Sequence, residues 1–461
     1  MDVPPGPRGL DVLSFFGRGS PAGTLKFLER TARTYGPISS FRILSKRLYL
    51  VDDPDLVQEI LVTRQHEFMR DSGASLLREL VGDGLLTREE PEHRERRRVL
   101  QPAFHREQIA SYADIMATEA IRTATTWQEG QTIDVTAEMK RLTLSVAGIA
   151  LFGADLRGVA DEIARILQRV IQRSRWIAPG FAFLEPFANA YRYIRPHGRS
   201  LFFEEERKEL ERLIDPVIQE RQVSGKRDII SLLLNAKEGN DRSLTEQDIR
   251  NEIVTFVLAG HETTATALTW ACYLLATHPG VQRYLGEELD TVLGNRSPAL
   301  DDLPRLTYTS WAFQESLRLY PPALVFGRRP KKKITLGGYP VSRGSSIILS
   351  PYVTQRNARN FTHPDTFKPE RWRTNSTPKF THFPFGGGAK MCIGDSFAKL
   401  EGVLVLAALC RQWQFDFLAS EPPGLAPSVT LRPDRPIMLK VERRNARKEH
   451  ATIEFESSKT I

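Results

Sequence analysis

Apolar positions recur at helical spacing over residues 54–65 and over most of 92–320, with breaks near Gly153, Pro179–Gly180, Pro196, Gly225 and Gly294. Ahead of them, Ile38–Ile43 and Arg47–Val51 alternate in part across a polar turn at Ser45-Lys46, which predicts a hairpin over 38–52. Short strands are expected again at 334–350, around Gly337-Gly338, and at 428–442. Residues 351–384, rich in Pro, Asn and Thr, read as irregular, and 394–413 as a helix. The longest unbroken helical pattern is 245–277, begun by a Thr245–Asp248 capping box and ended by His278-Pro279. Its 33 or so residues span about 50 Å, enough to cross a whole domain. Residues 1–9 form an extended Pro/Gly lead, and the tail after 443 is charged. No internal repeat is present. Strands in small pieces from distant parts of the chain predict one mainly α domain over 1–461 with minor β sheets, not a parallel α/β sheet.

Composition narrows the function classes. The 461 residues are 41% hydrophobic and 26% charged, ordinary for a globular chain. The net charge of +8 comes in short runs such as Arg94–Arg98 and Lys331–Lys333. Neither zinc-finger spacing nor an RNA-binding aromatic signature accompanies them, so no nucleic-acid partner is expected, and an acidic protein partner fits better. Three cysteines, Cys272, Cys392 and Cys410, cannot build a disulfide framework and point to a reducing compartment, hence a cytoplasmic protein. The start Met1–Pro7 lacks the basic-then-apolar order of a signal peptide, and no transmembrane helix is expected. The apolar segment Trp176–Leu184 reads as a lid, a peripheral membrane contact or an ordinary buried connection.

Two segments break the local rules of their surroundings. In Phe385–Gly394, glycines 386–388 allow close approach to a flat ligand, and Cys392 sits just before a helix, where amide donors and the dipole favour thiolate. A thiolate is what a haem iron needs to cleave an O–O bond. A buried cysteine in a glycine turn is the bland alternative, but the Phe-x-x-Gly-x-x-x-Cys-x-Gly spacing arises by chance in roughly one such chain in a thousand. Cys272 and Cys410 lie in apolar stretches and read as packing residues. The second segment is Ala259-Gly260-His261-Glu262-Thr263-Thr264, midway along the long helix, where Gly and Thr are poor helix formers. A groove for dioxygen accounts for it: Gly260 removes a side chain, Thr263 hydrogen-bonds oxygen, and Glu262 relays protons. A kinked helix with back-bonded threonines accounts for it equally well.

The cysteine segment resembles the haem-binding signature of the cytochrome P-450 family, and the resemblance spans nearly the whole chain. It implies haem b on Cys392, dioxygen as co-substrate, and Glu262–Thr263, with Ala259 and Gly260, as the oxygen-activation motif. Glu315-x-x-Arg318 and Arg371 match the family's structural cluster. Haem carboxylates are assigned by the resemblance to His93, Arg97 and Arg328, with Phe385, Gly386 and Gly394 also around the cofactor. Lys390 stands where the family usually has Arg and loses its fork geometry; Gln355 stands where it commonly has His. The implied pocket comprises Met69–Leu86, Thr255, Ala259 and Ala323, Leu324, Val325 and Phe326, all largely apolar, which suits a lipophilic substrate such as a fatty acid, terpene or steroid. The implied activity is hydroxylation or epoxidation by a monomeric monooxygenase. With no fused reductase, electrons come from an external ferredoxin or flavoprotein, docked by basic residues such as Arg96, Arg98 and Lys390. A peroxide-using relative lacking the acid–alcohol pair, a non-enzymatic haem sensor and a basic nucleic-acid-binding protein are the competing readings.

Overall fold

Thr245 starts the longest helix, Glu246–Thr277, by the reciprocal bonds its sequence predicts. The Thr245 hydroxyl accepts from the Asp248 amide at 3.1 Å, and the Asp248 carboxylate accepts from the Thr245 amide at 3.1 Å. The 32-residue helix is therefore about 48 Å long. His278 leaves helical geometry and Pro279 opens the next helix, Pro279–Leu293. In this computed structural model the described residues are 3–12, 22–43, 46–174, 201–224, 229–238, 242–374 and 377–444. The expected breaks at Pro179–Gly180, Pro196 and Gly225, the residue Ser45 and the segment Trp176–Leu184 lie outside them.

Among the helices that pack on the long one are Val135–Phe152, Thr307–Leu319 and Asp395–Gln412. Val135–Phe152 is capped by Asp134, whose carboxylate accepts from the Thr136 and Ala137 amides, and ends at Gly153 in the left-handed region. Their shared interior is one large apolar cluster, with Leu144, Val146, Leu268, Trp270, Leu404 and Val405 essentially inaccessible. Burial on nearly all sides explains why Asp395–Gln412 is apolar around most of its circumference.

The strands assemble from far apart. A five-stranded sheet runs in the order Ile38–Ile43, Lys46–Val51, Ser346–Leu349, Phe326–Pro330, Phe68–Arg70, with one parallel pair, Lys46–Val51 with Ser346–Leu349. The 38–52 hairpin, the Gly337-Gly338 hairpin and strands within 428–442 form where the pattern places them. Phe68–Arg70 and Phe326–Pro330 do not stand out in the sequence, because three and five residues, with one and two arginines, carry no alternation. The helix expected over 54–65 keeps α geometry only over Pro54–Gln58, then widens into a π turn, Glu59–Thr63. Among the described residues no helix is long and apolar enough to cross a membrane.

Candidate functional site

The cysteine loop is pressed against its neighbours so closely that only glycine fits. Gly386 and Gly388 have φ of 74° and 69°. A Cβ at Gly388 would lie 1.8 Å from the Leu61 carbonyl oxygen in the π turn, and one at Gly387 would lie 2.6 Å from the Phe380 ring. The Cys392 amide donates to the Phe385 carbonyl at 3.0 Å and that of Met391 to Gly388 at 3.0 Å, closing the loop on itself. Gly394 caps the helix and donates its N–H to the Cys392 sulfur.

Cys392 is exposed, yet protein surrounds it so densely that burial pushes its thiol up. Both hold if the sulfur lines an internal chamber rather than the outer surface. Burial outweighs the Gly394 N–H and the cations Arg97 and Lys399, and Asp395 adds to it. The Gly394 N–H and the nearby cations favour thiolate, as expected of a cysteine just before a helix, and burial opposes them. Cys272 and Cys410 are buried thiols, also pushed up.

The long helix opens at one place. From Asn251 to Leu275 every residue is buried except Leu258, Ala259, Gly260 and Thr263. The Thr263 hydroxyl donates to the Ala259 carbonyl at 2.7 Å, and that of Thr264 to Gly260 at 3.3 Å. Glu262 turns the other way. Its carboxylate accepts from the Thr430 hydroxyl at 3.3 Å and lies 3.6 Å from Arg432 and 3.9 Å from Lys140, both partly accessible to solvent. A Cβ at Gly260 would make ordinary contacts with Ala147 at 3.7 Å and Leu151 at 3.9 Å. Gly260 thus faces Val135–Phe152 with room for a Cβ. His261 is fully enclosed, bonded through its ring to the Val257 carbonyl, and is a packing residue.

A set of basic residues, half-buried except for the buried His93, stands around the loop. Arg70 and Arg328 are direct cross-strand partners, an arrangement that repels. Arg328 bonds its own strand at the Gly327 carbonyl, 2.9 Å. Arg70 holds the Leu86 carbonyl at 2.8 Å, and its Nη1 is buried with no hydrogen-bond partner among the described residues. Arg97 donates to the Met391 carbonyl at 2.7 Å. His93 is buried against Glu90 at 3.1 Å and is lowered to about 4 by burial and by Arg70. Lys390 pairs with Glu89, and burial with Arg70 lowers it to about 8. Lys390 is thus already partnered, and Arg96 is buried on Glu252 at 2.8 Å, so neither is free to dock a protein; Arg98 is exposed. Arg70 carries no sequence signal, being one basic residue in a three-residue strand.

These features fit a haem. Among the described residues no group of three or more His, Cys, Asp or Glu could hold a metal, so the lone Cys392 suits an ion whose other ligands come with a ring. The uncommitted Arg70 Nη1 and the repelling Arg70–Arg328 pair suit its carboxylates.

Behind the loop, Glu315 and Arg318 are fully buried and doubly bonded at 2.9 Å. Arg371 and the Trp372 indole donate to the same carboxylate at 2.7 and 2.9 Å. Gln355 stands where the resemblance expects a haem-carboxylate contact weakened by the change from His. Its amide donates to the Leu317 and Arg318 carbonyls at 3.0 Å and accepts from the Phe383 amide at 3.0 Å, tying this cluster to the cysteine loop. Of the expected pocket residues, Ala259 is accessible and Ala323, Leu324, Val325 and Phe326 are half-buried before Arg328. Thr255 is not: it is buried, and a Cβ at Gly84 would lie 2.7 Å from its hydroxyl.

The family model for cytochrome P450 matches residues 4–441. The chain is 36% identical to a cyclooctatin synthase of Streptomyces melanosporofaciens, covering 85% of each chain. It is 32% identical to a cyclooctat-9-en-7-ol 5-monooxygenase of the same organism, covering 85% of this chain and 84% of the other. It is also 32% identical to a pentalenene oxygenase of Streptomyces avermitilis, covering 88% and 87%. With a cysteine loop of this geometry and a match over nearly its whole length, the chain belongs to the cytochrome P450 family and is an oxidoreductase of that family.

Proposed function

We propose that the protein is a haem-thiolate monooxygenase, with haem b held by Cys392, acting on a terpenoid and receiving electrons from a separate ferredoxin or flavoprotein. The enclosed but accessible Cys392 sulfur carries this reading. When bound, the haem iron supplies the one-electron chemistry that activates dioxygen. Arg70, Arg328, Arg97 and His93 would hold its carboxylates, and Gly386–Gly388 would let the backbone come close to it. Thr263 keeps its proton on the Ala259 carbonyl, so its oxygen lone pairs are available to accept a hydrogen bond at the opening of the long helix. Glu262, between Lys140, Arg432 and Thr430, exchanges protons with solvent and passes them towards Thr263. Leu258, Ala259 and the Ala323–Phe326 segment offer an apolar wall. The names of the similar Streptomyces proteins support a terpenoid over a fatty acid or a steroid.

Incubating the reconstituted enzyme with pentalenene under isotopically labelled dioxygen, and weighing the products, tests the reaction class. The expected product carries a single labelled oxygen. Oxygen drawn from water or peroxide would contradict a monooxygenase.

A further inference from the structure

The turn 82–88 is held from two sides. It closes on itself through Thr87, whose hydroxyl donates to the Gly82 carbonyl at 2.7 Å and accepts from the Gly84 amide at 3.2 Å. On the sheet side Arg70, the cross-strand partner of Arg328, grips the Leu86 carbonyl. On the other side the turn lies flat on one stripe of the long helix. Gly82 abuts Asn251 and Gly84 abuts Thr255 and Glu252, so closely that a Cβ at either would collide. The stripe is polar where a buried helix should be apolar: Asp248, Asn251, Glu252 and Thr255 are all buried. Glu252 is at its centre, fully inaccessible, with one carboxylate oxygen accepting from the Leu85 amide at 3.1 Å and the other from Arg96 at 2.8 Å. Arg88 of the turn reaches Asp248 at 2.8 Å, and Arg207 reaches Asn251 at 2.9 Å. The stripe continues at spacings of four to Ala259 and Thr263. Thr255 is thus one turn, about 6 Å, from Ala259 and about 12 Å from Thr263.

We propose that Glu252 is a positioning residue for the substrate: its carboxylate fastens the turn 82–88 to the long helix and so fixes the wall of the chamber beside Ala259 and Thr263. The substrate part of this inference rests on the haem-monooxygenase reading; the fastening does not. Glu252 faces Arg96 from Glu92–Leu100, Arg88 from the turn, Asp248 on its own helix, and beyond Asn251 the Arg207 guanidinium. Burial pushes its carboxyl up to about 7, against Arg96, the Leu85 amide and Arg88. The folded value lies above the ordinary 4.5, so proton uptake below about 7 favours the folded state while removing the charge that draws the Leu85 amide as well as Arg96. Acid therefore frees the turn without lowering Tm through this group.

Two measurements decide it. Hydrogen exchange of the full chain is followed for Leu85–Arg88, corrected for intrinsic rates, on both sides of about pH 7. In the wild type exchange accelerates as the pH falls through that value. In Glu252→Gln, which keeps the shape but whose single amide oxygen cannot accept from both the Leu85 amide and Arg96, it is fast and flat with pH. The second is azole binding to the haem-loaded protein, comparing imidazole with 4-phenylimidazole, whose ring reports the chamber wall. Glu252→Gln changes the ratio of the two affinities by at least about tenfold and leaves imidazole itself within about twofold. A wild-type exchange profile flat through that pH, or an azole ratio unchanged in the variant, overturns the proposal. Absence of any azole spectrum in the wild type would sink the haem reading instead, and the exchange profile would still decide the fastening. Should Glu252→Gln not fold, the wild-type exchange profile decides alone.

Discussion

Thr263 and Gly260 are neighbours in one motif but do different jobs, and substitution separates them. Thr263→Ala removes a hydroxyl that, among the described residues, bonds only within its own helix. It should fold and load haem normally, while product formed per reductant consumed falls by about tenfold as proton delivery fails. Full coupling in Thr263→Ala would remove Thr263 from the mechanism. Gly260→Ala meets only ordinary contacts and gains helix propensity, so its stability should change by less than about 1 kcal/mol. Gly388→Ala would drive a Cβ into the Leu61 carbonyl, at a φ of 69°, and should cost about 4 kcal/mol or more, measured by denaturant unfolding. His93 and His382 give a pH dependence. Burial lowers His93 to about 4 and His382 to about 3, both from 6.5. Each is neutral when folded and takes a proton more readily unfolded, so stability falls as the pH drops below 6.5. His93→Gln should flatten part of that loss between 6.5 and about 4, seen as a smaller fall in Tm. At this scale Cys392, Glu315 and Arg318 were legible because each sits in a spacing that demands a role. Arg70, Glu89, Gln355 and Glu252 were not, because their meaning lies in partners far away in sequence.

Elements that announced themselves did so through local physics. The long helix carries its capping box and its terminating proline; the 38–52 hairpin carries its alternation. The strand Phe326–Pro330 is defined by its neighbours Ser346–Leu349 and Phe68–Arg70, and no local pattern predicts a partner some 250 residues away. Yet it places Arg328 opposite Arg70. The Glu315–Arg318–Arg371 cluster joins the helix Thr307–Leu319 to the segment before the cysteine loop. Glu315→Gln leaves the buried Arg318 and the half-buried Arg371 short of a counter-charge and should cost about 3–5 kcal/mol. Thermal unfolding of the apoprotein measures it; a shift equal to that of an ordinary surface substitution would show that the cluster does not hold the core.

For the whole molecule, the net charge of +8 and the exposed Arg98 suit an acidic electron donor. The account as a whole stands on one sulfur. Cys392 lies in a loop too tight for any side chain but glycine's at two positions, beside cations that suit two carboxylates. The haem-loaded protein, reduced with dithionite and exposed to carbon monoxide, should show the strongly red-shifted Soret band of thiolate ligation, and Cys392→Ala should abolish it. A band typical of histidine ligation in the wild type, or the same red-shifted band in Cys392→Ala, would contradict the assignment of Cys392 as the axial ligand.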